Sequence, residues 1–404
     1  MYTWLLSRFS ISATGAKRSV IRELLKLTQQ SGIISFAGGL PSPETFPTQQ
    51  IADLAREVIL KEGKWALQYG PTEGFPALKD TLVEMLSQDG IQTTPRNILI
   101  TNASQQGLDL VSRVFLNRRN RVIVGRPSYV GALGAFKNSG ATFKGVDVDE
   151  EGMVVEQVEQ ALDAMRIHGD LPKFIYVVPD FQNPAGVTMS LERRKKLLQL
   201  AREYKVLIVE DTPYRALRYV GKSIPSFYEL DQDQGYVISL HTFSKTLFPG
   251  LRLGWMLASP ELIDKFVMTK QAMDLCTPSL TQAIALAYCK KGLMDDHIRE
   301  NVVLYSEKRE VMLNALSEFM PEHPDIHWTQ PEGGLFLWIY LPETIDAEDL
   351  FHDALDEKVA YVIGSCFFVD GGGHHNMRVN FSYPSTDEIV EGVRRLAKVI
   401  EKRL

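Results

Sequence analysis

The stretch SLHTFSKTLFPGLRLGW, residues 239–255, is the most informative about the fold, because in it the end of a predicted buried strand is followed by a lysine and an arginine. The apolar run over 236–240, which overlaps the start of this stretch, predicts a strand, and Lys245 and then Arg252 follow it. Desolvating an ammonium group is costly, and a buried lysine with a lowered pKa is a nucleophile that forms Schiff bases. The hydroxyls of Thr242 and Ser244 and the guanidinium of Arg252 suit a phosphate. A solvated loop lysine is the alternative interpretation.

Upstream, short apolar runs alternate with longer amphipathic ones. Strands are predicted over 97–101, 121–125, 173–178, 206–210 and 236–240, and helices over 105–115, after Tyr129 and over 191–204. Short β-branched runs separated by helices are typical of an α/β sheet that is buried on both faces.

Downstream of Ser259 the pattern changes. Pro260 begins a helical region that extends to about Met320; strands are then predicted over 334–341 and 377–381, with helices over 347–357 and 386–404. Mixed strands and helices predict a second, smaller α+β domain. We therefore expect an N-terminal arm and substrate-lining segment over 1–50, a large cofactor-binding domain over 51–295 and a small C-terminal domain over 296–404.

Polar residues follow three of the predicted strands. Asp211 ends an apolar strand, where open α/β sheets bind ligands, although a helix cap would also explain it. Asn183 precedes a proline after another strand, and it could be an ordinary turn residue. Ser104 and Gln105 join a strand to a helix, where a hydroxyl and free backbone N–H groups suit a phosphate. An ordinary N-cap is the alternative there.

Composition narrows the class of protein. The chain has 404 residues, 45% of them hydrophobic and 23% charged, with a net charge of −6. That balance disfavours binding to nucleic acid or to an anionic membrane surface, and no apolar run approaches the length of a membrane span. The three cysteines form no CxxC motif, which fits a reducing cytoplasm. His374 and His375 lack further ligands in the sequence, so we expect a loop and no metal site.

In combination, these segments resemble the fold type I pyridoxal-phosphate aminotransferases, and most closely the subgroup of 2-aminoadipate and kynurenine aminotransferases. The segments SFAGGLP (35–41), LQYGPTEG (67–74) and NMRVNFS (376–382) match this family in order and spacing. The resemblance implies an aspartate aminotransferase-like fold: a large domain with a mostly parallel, seven-stranded sheet flanked by helices, and a smaller α+β domain. Ala103 departs from the family, which often has glycine there.

The resemblance also implies roles for individual residues around pyridoxal 5′-phosphate. Lys245 would form the Schiff base and move the substrate proton, and Asp211 would pair with the pyridine nitrogen, so that the ring accepts electrons. Asn183 and Tyr214 would bind the cofactor's O3′, and Tyr129 would stack on the ring, although core packing is the alternative for this tyrosine. The phosphate would be held by Ser104, Gln105, Thr242, Ser244 and Arg252.

Substrate and partner are implied in the same way. Arg378 would bind the substrate's α-carboxylate, and Gly39 and Asn183 would line the substrate site. Tyr69 would reach the phosphate of the other subunit, giving a homodimer with shared active sites. Residues 18–27 predict an amphipathic helix in which Arg22 lies off the apolar stripe, and the family position of Arg22 pairs with a distal carboxylate. A solvated helix arginine is the alternative.

The function that follows is transamination between an L-amino acid and a 2-oxo acid, expected to be 2-oxoglutarate. We expect a broad range that includes glutamate or 2-aminoadipate and aromatic or branched-chain amino acids. A pyridoxal-phosphate lyase on the same fold stays open, because Lys245 and Asp211 serve both reactions. A regulator that uses this fold is disfavoured, since its helix-turn-helix would need about 70–100 further residues before residue 36.

Overall fold

The computed structural model describes residues 3–15, 32–232 and 234–404. Its first elements are short: helices α1 (Thr3–Leu6) and α2 (Ile11–Gly15) and strand β1 (Ile34–Ser35). Strand β1 pairs in parallel with Val359 and Ala360 far along the chain. This pairing ties the segment that carries Gly39 to the C-terminal part of the protein. The helix predicted over 18–27, including Arg22, lies outside the described residues.

The main sheet has the predicted mostly parallel form. Its strands are β2 (Ile98–Thr101), β3 (Arg121–Arg126), β4 (Thr142–Asp149), β5 (Gly152–Met153), β6 (Phe174–Val177), β7 (Leu207–Asp211), β8 (Val237–Thr242) and β9 (Gly254–Leu257). They lie in the order β2-β9-β8-β7-β6-β3-β4-β5. Among the first seven of that order, β9 alone runs antiparallel to its neighbours, and the two-residue β5 adds an antiparallel edge.

Helices cover both faces of this sheet. They are α3 (Thr48–Ala66), α4 (Pro76–Gln88), α5 (Ala103–Phe115), α6 (Val130–Asn138), α7 (Val155–Ile167), α8 (Leu191–Tyr204), α9 (Phe227–Asp231), α10 (Pro260–Asp274) and α11 (Ser279–Lys290). Helix α8 has the bounds that the sequence predicts, and the Ser190 side chain caps it by accepting from the Arg193 N–H. Strand β6 shows the packing on both faces, since Tyr176 joins one apolar cluster and Ile175 the other.

The C-terminal part contains the predicted mixture of helices and strands. Its elements are α12 (Leu293–Phe319), β10 (His327–Trp328), β11 (Phe336–Tyr340), α13 (Ala347–Asp356), β12 (Val359–Ala360), β13 (Val362–Ile363), β14 (Asn376–Asn380) and α14 (Thr386–Glu401). Strands β10, β11, β14 and β13 form an antiparallel sheet in that order, and α12 packs along α14. The domain bounds 51–295 and 296–404 stay a prediction; the division between them falls inside α12.

The helices of the described residues do not provide a membrane crossing. In 3–15, 32–232 and 234–404, none combines the length and the apolar character that a span requires.

Candidate active site

The carboxyl ends of β2, β3, β6, β7 and β8 meet at one edge of the main sheet, and a cavity of about 210 Å³ lies there. Parallel strands end at the same edge, which is where open α/β sheets bind ligands. The predicted residues that line this cavity are Ser104, Gln105, Tyr129, Asn183, Asp211, Tyr214, Thr242, Ser244, Lys245 and Arg252. The structure therefore brings together residues from five separate strand ends.

Lys245 stands in the loop that follows β8. Its Nζ donates to the Gly39 carbonyl oxygen at 2.6 Å, a contact that spans 206 residues of chain. Burial, with the nearby cations Arg378 and Arg252, lowers the pKa of Lys245 to about 8. A substantial fraction of this amine is therefore neutral near pH 8, as a nucleophile or a base requires.

Asp211 is the last residue of β7 and is 2% exposed. Its Oδ2 accepts from the hydroxyl of Tyr176 at 2.9 Å, whereas its Oδ1 is buried with no hydrogen-bond partner. Burial raises the pKa of Asp211 to about 7, and the Tyr176 hydrogen bond opposes that rise. A buried acceptor without a donor is costly, so Oδ1 marks a place where a donor belongs.

Strand β9 brings two loops of the cavity together. Gly254 pairs with Thr101 of β2 on one side and with Thr242 of β8 on the other. A Cβ at Gly254 would lie 2.4 Å from the His241 carbonyl oxygen and 2.9 Å from the Ala103 Cα. Only glycine permits this approach, which sets the start of α5 against the end of β8. Ala103 itself has φ 59°, a left-handed conformation that glycine adopts more easily.

Hydroxyls and a guanidinium gather at this junction. Thr242 Oγ1 donates to Ser244 Oγ at 2.9 Å and accepts from the Ser244 backbone N–H at 3.1 Å. Arg252 Nη1 donates to the same Ser244 Oγ at 3.4 Å. Ser104 lies in the first turn of the thirteen-residue helix α5, while the Gln105 side chain donates to the Gly131 carbonyl oxygen. The combination of helix N-terminus, hydroxyls and guanidinium suits a phosphate.

Asn183 and Tyr214 are buried side by side in the lining of the cavity. Asn183 Nδ2 donates to the Tyr214 hydroxyl at 3.3 Å, and burial raises the pKa of Tyr214 above its ordinary value. Tyr129 is half-buried at the start of α6, and its ring lies so close to Gly131 that a Cβ there would be 2.5 Å from Cζ. These three residues present polar groups and an aromatic face to one small space.

Arg378 reaches the same region from β14 of the second sheet. Its guanidinium donates to Asn183 Oδ1 at 2.9 Å and to the Ala37 carbonyl oxygen at 2.8 Å. The Cζ lies 4.2 Å from the ring centroid of Phe336 and 5.2 Å from that of Phe367. Burial lowers the pKa of Arg378 to about 10, so the group remains charged at neutral pH. A rigid buried cation beside Asn183 can bind a carboxylate.

Other predicted residues lie away from this cavity. Tyr69 is 78% exposed and does not contribute to its lining, and Arg22 lies outside the described residues. His374 approaches Asp346 at 3.3 Å, and His375 Nδ1 approaches the Ile345 carbonyl oxygen at 2.9 Å. Over the described ranges, no group of three or more histidine, cysteine, aspartate or glutamate side chains is arranged to hold a metal.

Tyr176, the donor to Asp211, is a residue of the site that was not predicted from the sequence. Tyr176 lies in the middle of β6 and is 1% exposed. A signal was present, because a tyrosine in a fully buried strand needs a partner for its hydroxyl. What the strand pattern did not indicate is which residue that partner would be.

The charges and the unpartnered oxygen test whether pyridoxal 5′-phosphate fits this cavity. Lys245 and Arg252 line the cavity, Arg378 lies beside its residue Asn183, and Asp211 is the carboxylate among the described residues that line it. This excess suits one phosphate and one substrate carboxylate. Asp211 Oδ1 can accept from a protonated pyridine nitrogen, and the amine of Lys245 can react with an aldehyde. The residues present therefore fit the cofactor.

Comparison with known proteins assigns the family. The family described as aminotransferase class I and II matches residues 31–396. Aromatic-amino-acid aminotransferase 1 of Thermococcus litoralis is 45% identical over 98% of this chain and 94% of its own. The solved kynurenine aminotransferase of Pyrococcus horikoshii, in complex with PMP, has a TM-score of 0.95 at 45% identity, covering 99% of this chain and 98% of its own.

A third similar protein is the α-aminoadipate aminotransferase of Thermus thermophilus, complexed with N-(5′-phosphopyridoxyl)-L-leucine. It has a TM-score of 0.90 at 39% identity and covers 98% of both chains. Matches of this length and identity, together with a cavity that suits the cofactor, leave the family in no doubt. The chain belongs to the class I and II aminotransferases, and it is a pyridoxal-phosphate-dependent aminotransferase of fold type I.

Proposed function

We propose that this enzyme transfers the amino group of several L-amino acids to 2-oxoglutarate at the cavity around Lys245 and Asp211. The observation that carries the assignment of the site is the pairing of a lysine of lowered pKa with a buried carboxylate whose Oδ1 lacks a donor. Both groups lie on the same small cavity, at the sheet edge where ligands bind.

Lys245 is the proposed nucleophile and proton carrier. Pyridoxal phosphate, when bound, supplies a ring that withdraws electrons from the substrate Cα. The neutral amine of Lys245 removes the proton at that carbon, and its ammonium form returns a proton during the transfer. Because Arg378 and Arg252 help to lower the pKa of Lys245, the amine exchanges protons near neutral pH.

The remaining residues are proposed to hold the cofactor in place. Asp211 binds the pyridine nitrogen and keeps a proton there, while Asn183 and Tyr214 bind O3′ and Tyr129 stacks on the ring. The phosphate group is bound by Ser104, Gln105, Thr242, Ser244 and Arg252. The support for these roles is the hydroxyl and guanidinium cluster beside the N-terminus of α5 and the buried pair of Asn183 and Tyr214.

Arg378 is the proposed site for the substrate's α-carboxylate. Two of its nitrogens are already bound to Asn183 and Ala37, and its Nε is buried without a hydrogen-bond partner. The aromatic rings of Phe336 and Phe367 hold the guanidinium in one orientation. Gly39 borders the same space, since its carbonyl oxygen contacts Lys245.

The proposed substrate range is supported by the names of similar proteins and by the position of one arginine. Similar proteins carry the names aromatic-amino-acid, kynurenine and α-aminoadipate aminotransferase, which supports both aromatic and dicarboxylic substrates. Arg22 is the proposed partner of a distal carboxylate. Its long side chain could turn into water when an apolar substrate enters, so that one site serves both classes.

The active unit is proposed to be a homodimer in the cytoplasm. Leu67 and Tyr69, two residues apart, are strongly exposed on the described chain, which fits a surface that a second subunit covers, with Tyr69 reaching that subunit's phosphate. Free Cys276, Cys289 and Cys366 fit a reducing compartment.

A panel of amino acids tests the reaction and its range. Purified holoenzyme is mixed with one amino acid at a time, and the absorbance of the bound cofactor and the release of 2-oxo acid are recorded. Glutamate, 2-aminoadipate, leucine and phenylalanine should convert the cofactor to its amine form, and 2-oxoglutarate should reverse the change. Release of ammonia or pyruvate without an acceptor would instead indicate a lyase.

Lys245→Ala tests the site. This variant should remain folded and bind the cofactor without forming a bond that borohydride fixes to the protein, and its turnover should be lost. Lys196→Ala is the control, because Lys196 lies on α8, pairs with Glu159 at 3.1 Å and does not line the cavity. Turnover near the wild-type rate in Lys245→Ala would contradict the assignment.

A further inference from the structure

Tyr176 is a buried titratable residue that the roles proposed above do not use. Its hydroxyl donates to Asp211 Oδ2 at 2.9 Å. Across the described ranges, no other side chain hydrogen-bonds this carboxyl group, and Oδ1 is left without a donor. One oxygen of Asp211 is therefore occupied by the protein, and the other is available.

The sheet register produces this contact. Tyr176 of β6 lies opposite Val209 of β7, and Asp211 lies two residues further along β7 on the same face. Diagonal neighbours across two strands are within reach of an aromatic side chain. Phe136 packs edge-on against the Tyr176 ring, with centroids 5.5 Å apart and planes at 75°, and this holds the hydroxyl in place.

The direction of the hydrogen bond is settled by protonation. Burial and the neighbouring Asp211 carboxylate raise the pKa of Tyr176 well above its ordinary value, so the phenol keeps its proton and donates it to Asp211 Oδ2 when the carboxyl group is ionised. A donor stabilises the ionised form of a carboxyl group and opposes the effect of burial. The bond therefore favours carboxylate over carboxylic acid at a site that otherwise favours the acid.

We propose that Tyr176 is a positioning residue, which holds Asp211 ionised and leaves its Oδ1 free for the pyridine nitrogen of the cofactor. This inference rests on the proposed pairing of Asp211 with that nitrogen. In a dry site, the proton between a carboxyl group and a pyridine nitrogen can reside on either partner. Because the Tyr176 hydrogen bond stabilises the carboxylate, the proton stays on the nitrogen, where it is needed for electron withdrawal.

The test compares Tyr176→Phe with a matched control, Tyr361→Phe. Tyr361 is also fully buried, and its hydroxyl donates to the Ala347 carbonyl oxygen at 2.6 Å, away from the cavity. Each substitution removes one oxygen and one buried hydrogen bond, so both variants should lose a similar amount of thermal stability. A change in activity that comes only from lost stability would therefore appear in both variants.

The deciding measurement is the ¹⁵N resonance of holoenzyme loaded with pyridoxal phosphate labelled at the pyridine nitrogen. Wild type and Tyr361→Phe should show a protonated nitrogen, and Asp211→Asn a largely unprotonated one. Tyr176→Phe should move the resonance toward the unprotonated position and lower kcat about tenfold to a hundredfold, the scale of a hydrogen bond to a charged group. In an Asp211→Asn background, Tyr176→Phe should cause little further loss.

The outcomes separate this inference from the proposed function. If wild type is protonated, Asp211→Asn is not, and Tyr176→Phe retains the wild-type resonance, then Tyr176 is structural only and the inference is wrong. A fall in kcat with an unchanged resonance would overturn it equally. If the wild-type nitrogen is unprotonated, the role of Asp211 itself fails and the inference fails with it, although transamination in the amino-acid panel would still stand.

Discussion

Replacing Asp211 by asparagine should stabilise the cofactor-free protein while nearly abolishing its activity. The structure buries this carboxyl group with one hydrogen bond, from Tyr176, and with an unpartnered Oδ1. Burial raises the pKa of Asp211 to about 7, whereas an unfolded chain ionises its aspartates near pKa ~3.9. The folded protein therefore ionises Asp211 only near and above neutral pH, in surroundings that disfavour the charge.

The pH window follows from the direction of this shift. Below about pH 4 the group is protonated in both states and carries no penalty. Between about pH 4 and pH 7 the folded state keeps a proton that the unfolded state has lost, so stability falls as pH rises; above about pH 7 the full penalty is present. At 1.36 kcal/mol per pH unit, the penalty grows by about 2–3 kcal/mol between pH 5 and pH 8. Asparagine does not titrate, so Asp211→Asn avoids this loss.

The assay is urea unfolding of cofactor-stripped wild type and Asp211→Asn at pH 5 and pH 8. Between pH 5 and pH 8 the free energy of unfolding of wild type should fall by about 2–3 kcal/mol more than that of the variant, since the other titrating groups are common to both proteins. Asp231→Asn is the control: this buried carboxylate accepts from the Tyr236 backbone N–H at 2.9 Å and pairs with Arg202 at 3.2 Å. The control should be less stable than wild type at pH 8, because it leaves Arg202 without its charged partner.

Activity should change in the opposite direction. We expect kcat of Asp211→Asn holoenzyme to fall by about 10²–10⁴, the scale of removing one electrostatic stabiliser. The reasoning would be refuted if the stability difference between wild type and Asp211→Asn were the same at pH 5 and pH 8. A loss in kcat below about threefold would show separately that Asp211 is only structural.

Three further predictions concern the dimer, the substrate range and the phosphate end. Mixing Tyr69→Phe with Lys245→Ala protomers should raise activity above the sum of the separate variants after subunit exchange, because hybrid dimers would hold one intact site; no rise would exclude shared sites. Arg22→Ala should lower kcat/KM by about 1.5–3 kcal/mol for glutamate and 2-aminoadipate but little for leucine, and equal losses in steady-state assays would make Arg22 structural. Gly254→Ala should cost about 1–3 kcal/mol in urea unfolding through its clash with the Ala103 backbone and should weaken cofactor binding at equilibrium, whereas wild-type values would show that the junction adapts.

Local sequence determined the type of most elements around the site. The apolar runs over 206–210 and 236–240 became strands β7 and β8, and the helix predicted over 191–204 has the same bounds in the structure. Within one segment, the spacing of hydrophobic residues indicates which face is buried, and capping residues indicate where a helix begins and ends. The polar residues after these strands could also be placed at one edge, because parallel strands end together. Their roles came from the resemblance of several motifs in order, not from any single residue.

Tertiary structure decided which segments become neighbours. Strand β9 was not predicted from the sequence, yet its insertion between β2 and β8 sets the Ser104 turn beside Thr242. The contact of Lys245 with Gly39, and that of Arg378 with Asn183, each join positions about two hundred residues apart. The physical reason is that backbone hydrogen bonds are the same for any pair of strands, so a local pattern predicts that a strand is buried but not which strand lies beside it.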